Sequence, residues 1–249
     1  MAAQRTMYMS AVGALLWLAS GTRPDLTYAV SLLARFVSNP GTAHVEALHH
    51  LLGYLSCTKH RVLRFAPNDE EVVVFSDASW ATQNSVSGGV ILYKGCPVQW
   101  WSRRQKSVSA STAEAECFAA ALATRECVYV RDLLEDLGFG VTQPTPLLLD
   151  SKSALDLAVD PVAFKKTKHI LRHAYELRDR VARMLYEPRH VPSAEQLADI
   201  LTKSLRPGLH MPLLNRLLSI SQHAMQGVAG QLAPESARRG SDPSLEERA

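Results

Sequence analysis

Residues Val72 to Trp80 read VVVFSDASW, and the reading of this stretch decides the fold. A β-branched run leading into Phe75 is the pattern of a strand buried on both faces. The run stops on a carboxylate, Asp77, followed by small residues and a tryptophan. An acid at the end of a core strand, where the chain leaves the interior, sits where α/β and α+β enzymes often keep a ligand-binding group. Taken alone, Asp77 also reads as a turn cap. Three more carboxylates downstream, each suited to facing the same point, favour a site.

Downstream the period stays that of strands. Ser87 to Tyr93 (SGGVILY) and Val98 to Ser102 flank a Lys94-Gly95 turn, which predicts an antiparallel meander with the first strand. Ser111 or Thr112 opens a long helix reaching Leu137 and ended by Gly138. Thr145 to Leu149 (TPLLL) is a fourth strand ending on Asp150. A short helix over Ser151 to Val159 follows, stopped by Asp160-Pro161. A helix over Lys168 to Ala182, a weak strand over Met184 to Val191 and a last helix over Ser193 to Lys203 complete the order. The fold class is therefore α/β, or more closely α+β, with helices packed on a mixed sheet.

Upstream the chain reads as helical. Tyr8 to Ala19, Leu26 to Val37 and a helix capped by Thr42 and running to Leu55 carry apolar residues at helical spacing, separated by Thr22-Arg23-Pro24-Asp25 and Asn39-Pro40-Gly41. These three helices read as scaffold. The resulting division is a helical segment over residues 1–65, an α+β domain over 66–206, and 207–249. In that last part a helix over Leu209 to Ile220 precedes a tail from Gln222 expected to be disordered, since it is rich in Ala, Gly, Ser, Pro and charge.

Of the 249 residues 47% are hydrophobic, enough for a real core, and the formal charge of +3 is compatible with a nucleic-acid partner. Cys57, Cys96, Cys117 and Cys127 form neither a C-x-x-C pair nor a zinc spacing and read as free thiols in a reducing compartment. The apolar stretch Met7 to Ala19 is too short to span a bilayer and lacks secretory-signal flanks. The expectation is an intracellular, cytoplasmic or nuclear protein without a membrane partner.

Asp77 and Asp150 each end a core strand; if those strands pair in parallel, both acids emerge at one sheet edge. Glu116 lies in the first turns of the long helix, and Asp199 in the last helix. Singly, Glu116 reads as a helix N-terminal charge and Asp199 as part of a solvated face. Crowded together, four carboxylates would raise one another's pKa, a cost that a pair of divalent cations removes. Oxygen-only ligands select hard ions, Mg²⁺ or Mn²⁺. Two such ions about 3.5–4 Å apart serve phosphodiester hydrolysis, one activating water and the other stabilising the leaving 3′-oxygen.

FSDASW, SASTAEAE, LLLDS, KKTKHI and HVPSAEQLADILTK occur here in the order and spacing of the ribonuclease H domain of copia-type LTR retrotransposon polyproteins, which this sequence resembles. The stretch from YMSAVGALLWLAS to HHLLGYL resembles the end of the reverse transcriptase region that precedes that domain. The resemblance covers roughly residues 7–205. It implies a ribonuclease H-like fold, metal positions at Asp77, Glu116, Asp150 and Asp199, and cleavage of the RNA strand of an RNA–DNA hybrid. It makes Glu114 a neighbour of the site. The sequence departs from the commoner pattern in three places: Ala194 stands roughly where many ribonucleases H carry a loop histidine, Ser151-Lys152 replaces Asn-Gln, and Cys117 replaces an aromatic. The Tyr-x-Asp-Asp motif of a polymerase palm is missing, so the chain reads as a carboxy-terminal piece whose partner is the polymerase part.

For the hybrid itself, Ser111 and Thr112 offer hydroxyls at the helix start, against a plain capping role. Arg103, Arg104 and Lys106 form one basic cluster and Lys165, Lys166 and Lys168 another, with His169 beside it as a phosphate or structural hydrogen-bonding group. Each cluster reads either as a phosphate contact or as a solvated loop. Trp100 and Trp101 are adjacent on a strand, so one faces the core and the other is a stacking surface or an ordinary exposed ring. The competing functional reading is a non-catalytic remnant that binds nucleic acid without turnover.

Overall fold

The computed structural model describes residues 2–81, 84–159 and 171–218, with no side-chain description for 2, 3 and 171. The β-branched run forms strand β1 (Val72–Ser79) and takes the centre of a five-stranded sheet. β2 (Val86–Tyr93) and β3 (Cys96–Arg104) return beside it as the expected antiparallel meander. β4 (Thr145–Leu149) pairs with β1 in parallel, and β5 (Tyr186–His190) pairs in parallel with β4. The order is β3-β2-β1-β4-β5. This is the mixed sheet that the sequence pattern anticipates.

The long helix α4 (Thr112–Asp136) packs on the sheet. Ser111 is its N-cap and accepts from the Glu114 N–H at 3.2 Å, while the Glu114 carboxylate accepts from the Ala110 N–H at 2.6 Å. The first bond satisfies a backbone donor that a helix start leaves open, and the second ties down the residue before the cap. The helix buries a row of small residues, Ala115, Ala119, Ala120 and Ala123, so its backbone lies close to the strands. Val74, Ile91, Trp101, Leu147, Leu149 and Tyr186 share the core beneath it. Each such buried side chain contributes about 1.5–3 kcal/mol relative to exposure. α5 (Lys152–Val159) and α6 (Leu171–Ala182) extend this layer through Leu157, Ala174 and Leu177.

The upstream helices are α1 (Ala2–Gly21), α2 (Thr27–Ala34) and α3 (Thr42–Cys57), with a 3-10 turn over Pro24–Leu26. Tyr8, Val12, Leu15, Leu26, Val30 and Leu48 form their shared core. Two sequence expectations need correction here. Thr42 is the first helical residue and Gly41 the cap, because the His44 ring accepts the Gly41 N–H at 2.9 Å and satisfies the helix start in its place. Leu52 in α3 and Phe36 just after α2, which the helical spacing of apolar residues also places inward, are 39% exposed, since only a narrow stripe of this segment meets its neighbours.

The two adjacent tryptophans point to opposite faces, as a pleated strand requires. Trp101 enters the core against Gly89, where an added Cβ would lie 2.2 Å from the indole. Trp100 is neither a stacking surface nor an ordinary exposed ring. Its Nε1 donates to the Ala19 carbonyl at 2.7 Å, and Ser102 on the same face meets Ser31 at 3.3 Å. The helical segment is thereby seated on β3.

The expected last helix over Ser193 to Lys203 is instead two 3-10 turns, Ser193–Glu195 and Leu197–Leu201, interrupted at Gln196. Gln196 takes an extended conformation (ψ 99°) and folds its amide back onto the backbone, which stops helix propagation. α7 (Pro207–Leu217) follows and buries Leu213, Leu214 and Leu217. Among the described residues no helix is long and apolar enough to cross a membrane. The expected disordered tail from Gln222 lies outside the described residues.

Gly88 stands beside Asp77 in the β1–β2 register, and the Leu201–Thr202 segment lies directly on it. A Cβ at Gly88 would sit 2.6 Å from Thr202 Cγ2 and 2.8 Å from Leu201 Cβ. Gly88→Ala is expected to destabilise the chain by about 1–3 kcal/mol, the usual cost of overpacking. Urea unfolding of the two proteins measures this, and equal midpoints would show that the segment is not seated on β2.

Candidate active site

The parallel pairing of β1 and β4 runs through Phe75↔Leu148, so continuing that register by two residues sets Asp77 beside Asp150. Asp77 does not end its strand as expected, since β1 pairs with β2 as far as Ser79, whereas Asp150 directly follows β4. Glu116 reaches this edge from the second turn of α4, with small neighbours allowing close approach. Ligand oxygens of Asp77, Glu116 and Asp150 all lie within 4.8 Å of one another. Asp77 and Glu116 are buried and Asp150 half-buried.

Asp199 arrives from the second 3-10 turn and joins the cluster through a cation. Lys203 Nζ lies 2.9 Å from Asp199 Oδ1 and 3.7 Å from Asp77 Oδ2. Three hydrogen bonds further orient the carboxylates. The Thr202 hydroxyl donates to Asp77, the Ser193 hydroxyl donates to Asp150 at 3.1 Å, and the Ala78 N–H donates to Glu116. The structure thus brings all four sequence candidates to one edge, Asp77, Glu116 and Asp150 in mutual contact range and Asp199 through Lys203. Thr202, Lys203, Ser193 and Gln196 were not singled out from sequence, although all four lie within the HVPSAEQLADILTK block. They carry no metal-ligand signature, and only the fold shows what they touch.

The electrostatics record the crowding. Burial, then the charges of Asp77 and Asp150, push the Glu116 carboxyl up to about 9, with Lys203 and the Ala78 N–H pulling the other way. Burial and then Asp77 raise Asp199 to about 7, against the opposing Lys203 ion pair. Excess negative charge is therefore held here at the cost of retained protons, the condition that a divalent cation relieves. The donor set is all oxygen, which suits hard divalent cations. Cys117, next to Glu116, is fully buried and its thiol is pushed up to about 12 by burial, so it stays a neutral packing group. All four cysteines are free.

The remaining sequence candidates fall in three groups. Ser111 Oγ is engaged as the cap of α4, while Thr112 is exposed at the same helix start. Arg103, Arg104 and Lys106 are exposed where β3 ends, at the sheet edge that carries the carboxylates, and Arg103 forms an ion pair with Glu126. Lys165, Lys166, Lys168 and His169 lie outside the described residues. A hollow of about 490 Å³ lies at the opposite ends of the strands, lined by Val72, Thr145 and Glu187, and holds none of the four carboxylates.

No protein-family model matches the chain. It is 36% identical over 205 residues to the Retrovirus-related Pol polyprotein from transposon RE1 of Arabidopsis thaliana, a match covering 80% of this chain and 14% of that protein. It is 34% identical over 200 residues to the Retrovirus-related Pol polyprotein from transposon TNT 1-94 of Nicotiana tabacum, covering 79% of this chain and 15% of that protein. The chain thus spans a small part of the length of these relatives. Among solved structures, the N-terminal RNase H domain of rv2228c from Mycobacterium tuberculosis aligns at a TM-score of 0.40 and 16% identity, over 64% of this chain and 98% of that one.

The raised carboxyls give stability a sign with pH. Glu116 and Asp199 keep protons in the folded chain that the unfolded chain releases at ordinary carboxylate values, about 4. The folded state then binds more protons, so stability falls as pH rises. The loss begins near those unfolded values and runs up through about 7 for Asp199 and about 9 for Glu116. In chelator, the thermal midpoint is expected to drop steadily across this window, and Glu116→Gln should flatten its upper part. A parent midpoint that stays level over the window would contradict the crowding.

Proposed function

The chain belongs to the retrovirus-related Pol polyproteins of transposons, and from that footing we propose that it is a metal-dependent endonuclease cutting the RNA strand of RNA–DNA hybrids. The observation that carries this reading is the convergence of Asp77, Glu116 and Asp150, from two strands and a helix, to within 4.8 Å. No packing advantage accounts for placing those charges together.

Asp77, Glu116, Asp150 and Asp199 hold Mg²⁺ or Mn²⁺ in this proposal. When bound, the cations supply positive charge that activates the attacking water and stabilises the leaving 3′-oxygen. The chain's own groups do the rest. Thr202 and Ser193 fix the carboxylate orientations of Asp77 and Asp150. Glu116 and Asp199 would give up their retained protons on holding the cations. Lys203 keeps positive charge at the edge where a phosphate would arrive.

The substrate is held at the same edge. Thr112, and the hydroxyl hydrogen that Ser111 still has to donate, face the helix start, a favoured place for phosphate or 2′-OH contacts. Arg103, Arg104 and Lys106 add phosphate contacts, Arg103 after exchange of its Glu126 partner. Lys165, Lys166, Lys168 and His169 are assigned the same role from sequence alone. The partners are then the RNA–DNA hybrid and the polymerase part of the same kind of polyprotein, and the setting is intracellular.

The test is cleavage of a labelled RNA–DNA hybrid by the full chain with Mg²⁺, beside Asp77→Asn and a chelator control. Cleavage of the RNA strand is expected, falling for Asp77→Asn by more than the about 10–100-fold that loss of an outer-shell partner costs. Added salt should weaken hybrid binding with a log–log slope set by the number of phosphate contacts. Hybrid binding without cleavage would leave the non-catalytic remnant standing in its place.

A further inference from the structure

Gln196 is fully buried, yet it carries a polar amide into the core. Such a group is tolerated only where its donors and acceptor are matched. Here each is used on a different element. Nε2 donates to the Ser76 carbonyl of β1 at 3.0 Å and to the Leu148 carbonyl of β4 at 3.4 Å. Oε1 accepts the Ala198 N–H at 3.2 Å and so caps the turn that carries Asp199.

These contacts fall where spacing matters most. The β1–β4 register pairs Val74↔Leu147 and Phe75↔Leu148, and the Gln196 amide sits just beyond it, holding carbonyls of both strands. Ser76 directly precedes Asp77, and Leu148 stands two residues before Asp150. One side chain therefore sets how far the two strands stand apart at their acidic ends, and where the Asp199 turn sits above them. Carboxylates that repel would otherwise spread the strand ends.

We propose that Gln196 is a positioning residue for the divalent-cation site, clamping the strand ends that carry Asp77 and Asp150 to the turn that carries Asp199. The proposal rests on the metal-binding reading of those carboxylates. It assigns Gln196 no contact with metal or substrate. Its amide acts as an outer support, and supports of that kind govern affinity through the orientation of the ligands they hold.

The test uses calorimetric titration of Mn²⁺ into the full chain, well below the thermal midpoint. Gln196→Met keeps the volume and removes both donors, and Gln196→Asn keeps an amide too short to reach both carbonyls. Thr124→Val is the control: it removes an equally buried hydrogen-bonding group, bonded to Arg180, away from the carboxylates. Both Gln196 variants are expected to bind Mn²⁺ about 10–100-fold more weakly than the parent. The control should stay within about twofold, since separated sites act independently. Parental affinity in the Gln196 variants, or an equal loss in Thr124→Val, would overturn the clamp. A parent that binds no Mn²⁺ would instead remove the proposed function, and this inference with it. Should neither Gln196 variant fold, exchange of the Gln196 side-chain amide protons in the parent decides. Slow exchange supports the clamp, and exchange at the rate of a free glutamine overturns it.

Discussion

Carboxylates held within 4.8 Å of one another in a half-dry pocket repel, and the molecule around them is arranged to resist that repulsion. Asp77 and Asp150 stand on adjacent parallel strands at the centre of the sheet, whose ends the Gln196 amide ties together. Glu116 is carried by the longest described helix, held against the sheet by alanines that leave it no room to tilt away. Thr202, Ser193 and the Ala78 N–H each spend a hydrogen bond on a carboxylate, and Lys203 offsets part of the charge. What remains uncompensated appears as retained protons on Glu116 and Asp199. The proposed cations would relieve that crowding.

The helical segment joins this arrangement through the outer face of the sheet. Trp100 and Ser102 on β3 meet Ala19 and Ser31 on the helices, so the strand serves two cores with alternate side chains. The segment is locked within itself by a buried ion pair. Arg23 and Asp25 meet at 2.7 Å, and Asp25 also accepts from the Tyr54 hydroxyl at 2.8 Å while Arg23 donates to Thr58. A buried pair is weak evidence for net stability, but removing either partner leaves an uncompensated charge in the interior. The network therefore fixes where α3 ends relative to the turn between α1 and α2.

Much of this was readable in the residues themselves. The strands β1, β2 and β4, a hydroxyl cap at Ser111 or Thr112 and the order of elements follow from local patterning, because a β-branched run or a hydroxyl before a helical period has few other solutions. The four acids were visible because two read as strand ends and the family blocks align the others. Boundaries and small contacts were less visible. The Ser193–Lys203 stretch has helical composition, yet Gln196 breaks it, since a backbone-directed amide outcompetes one more helical turn only when β1 and β4 are there to receive it. Trp100 reads as exposed until a neighbouring helix end is placed over it.

The sequence by itself determined the strands, the long helices, their order, and the oxygen-only chemistry of the acids, because these depend on side-chain types and spacing along the chain. Only the tertiary structure decided that Asp77 and Asp150 share an edge, that Lys203 bridges to Asp199, and that Gln196 holds the strand ends. Those facts depend on which strands pair and in what register, and that choice is made by burying the whole core at once.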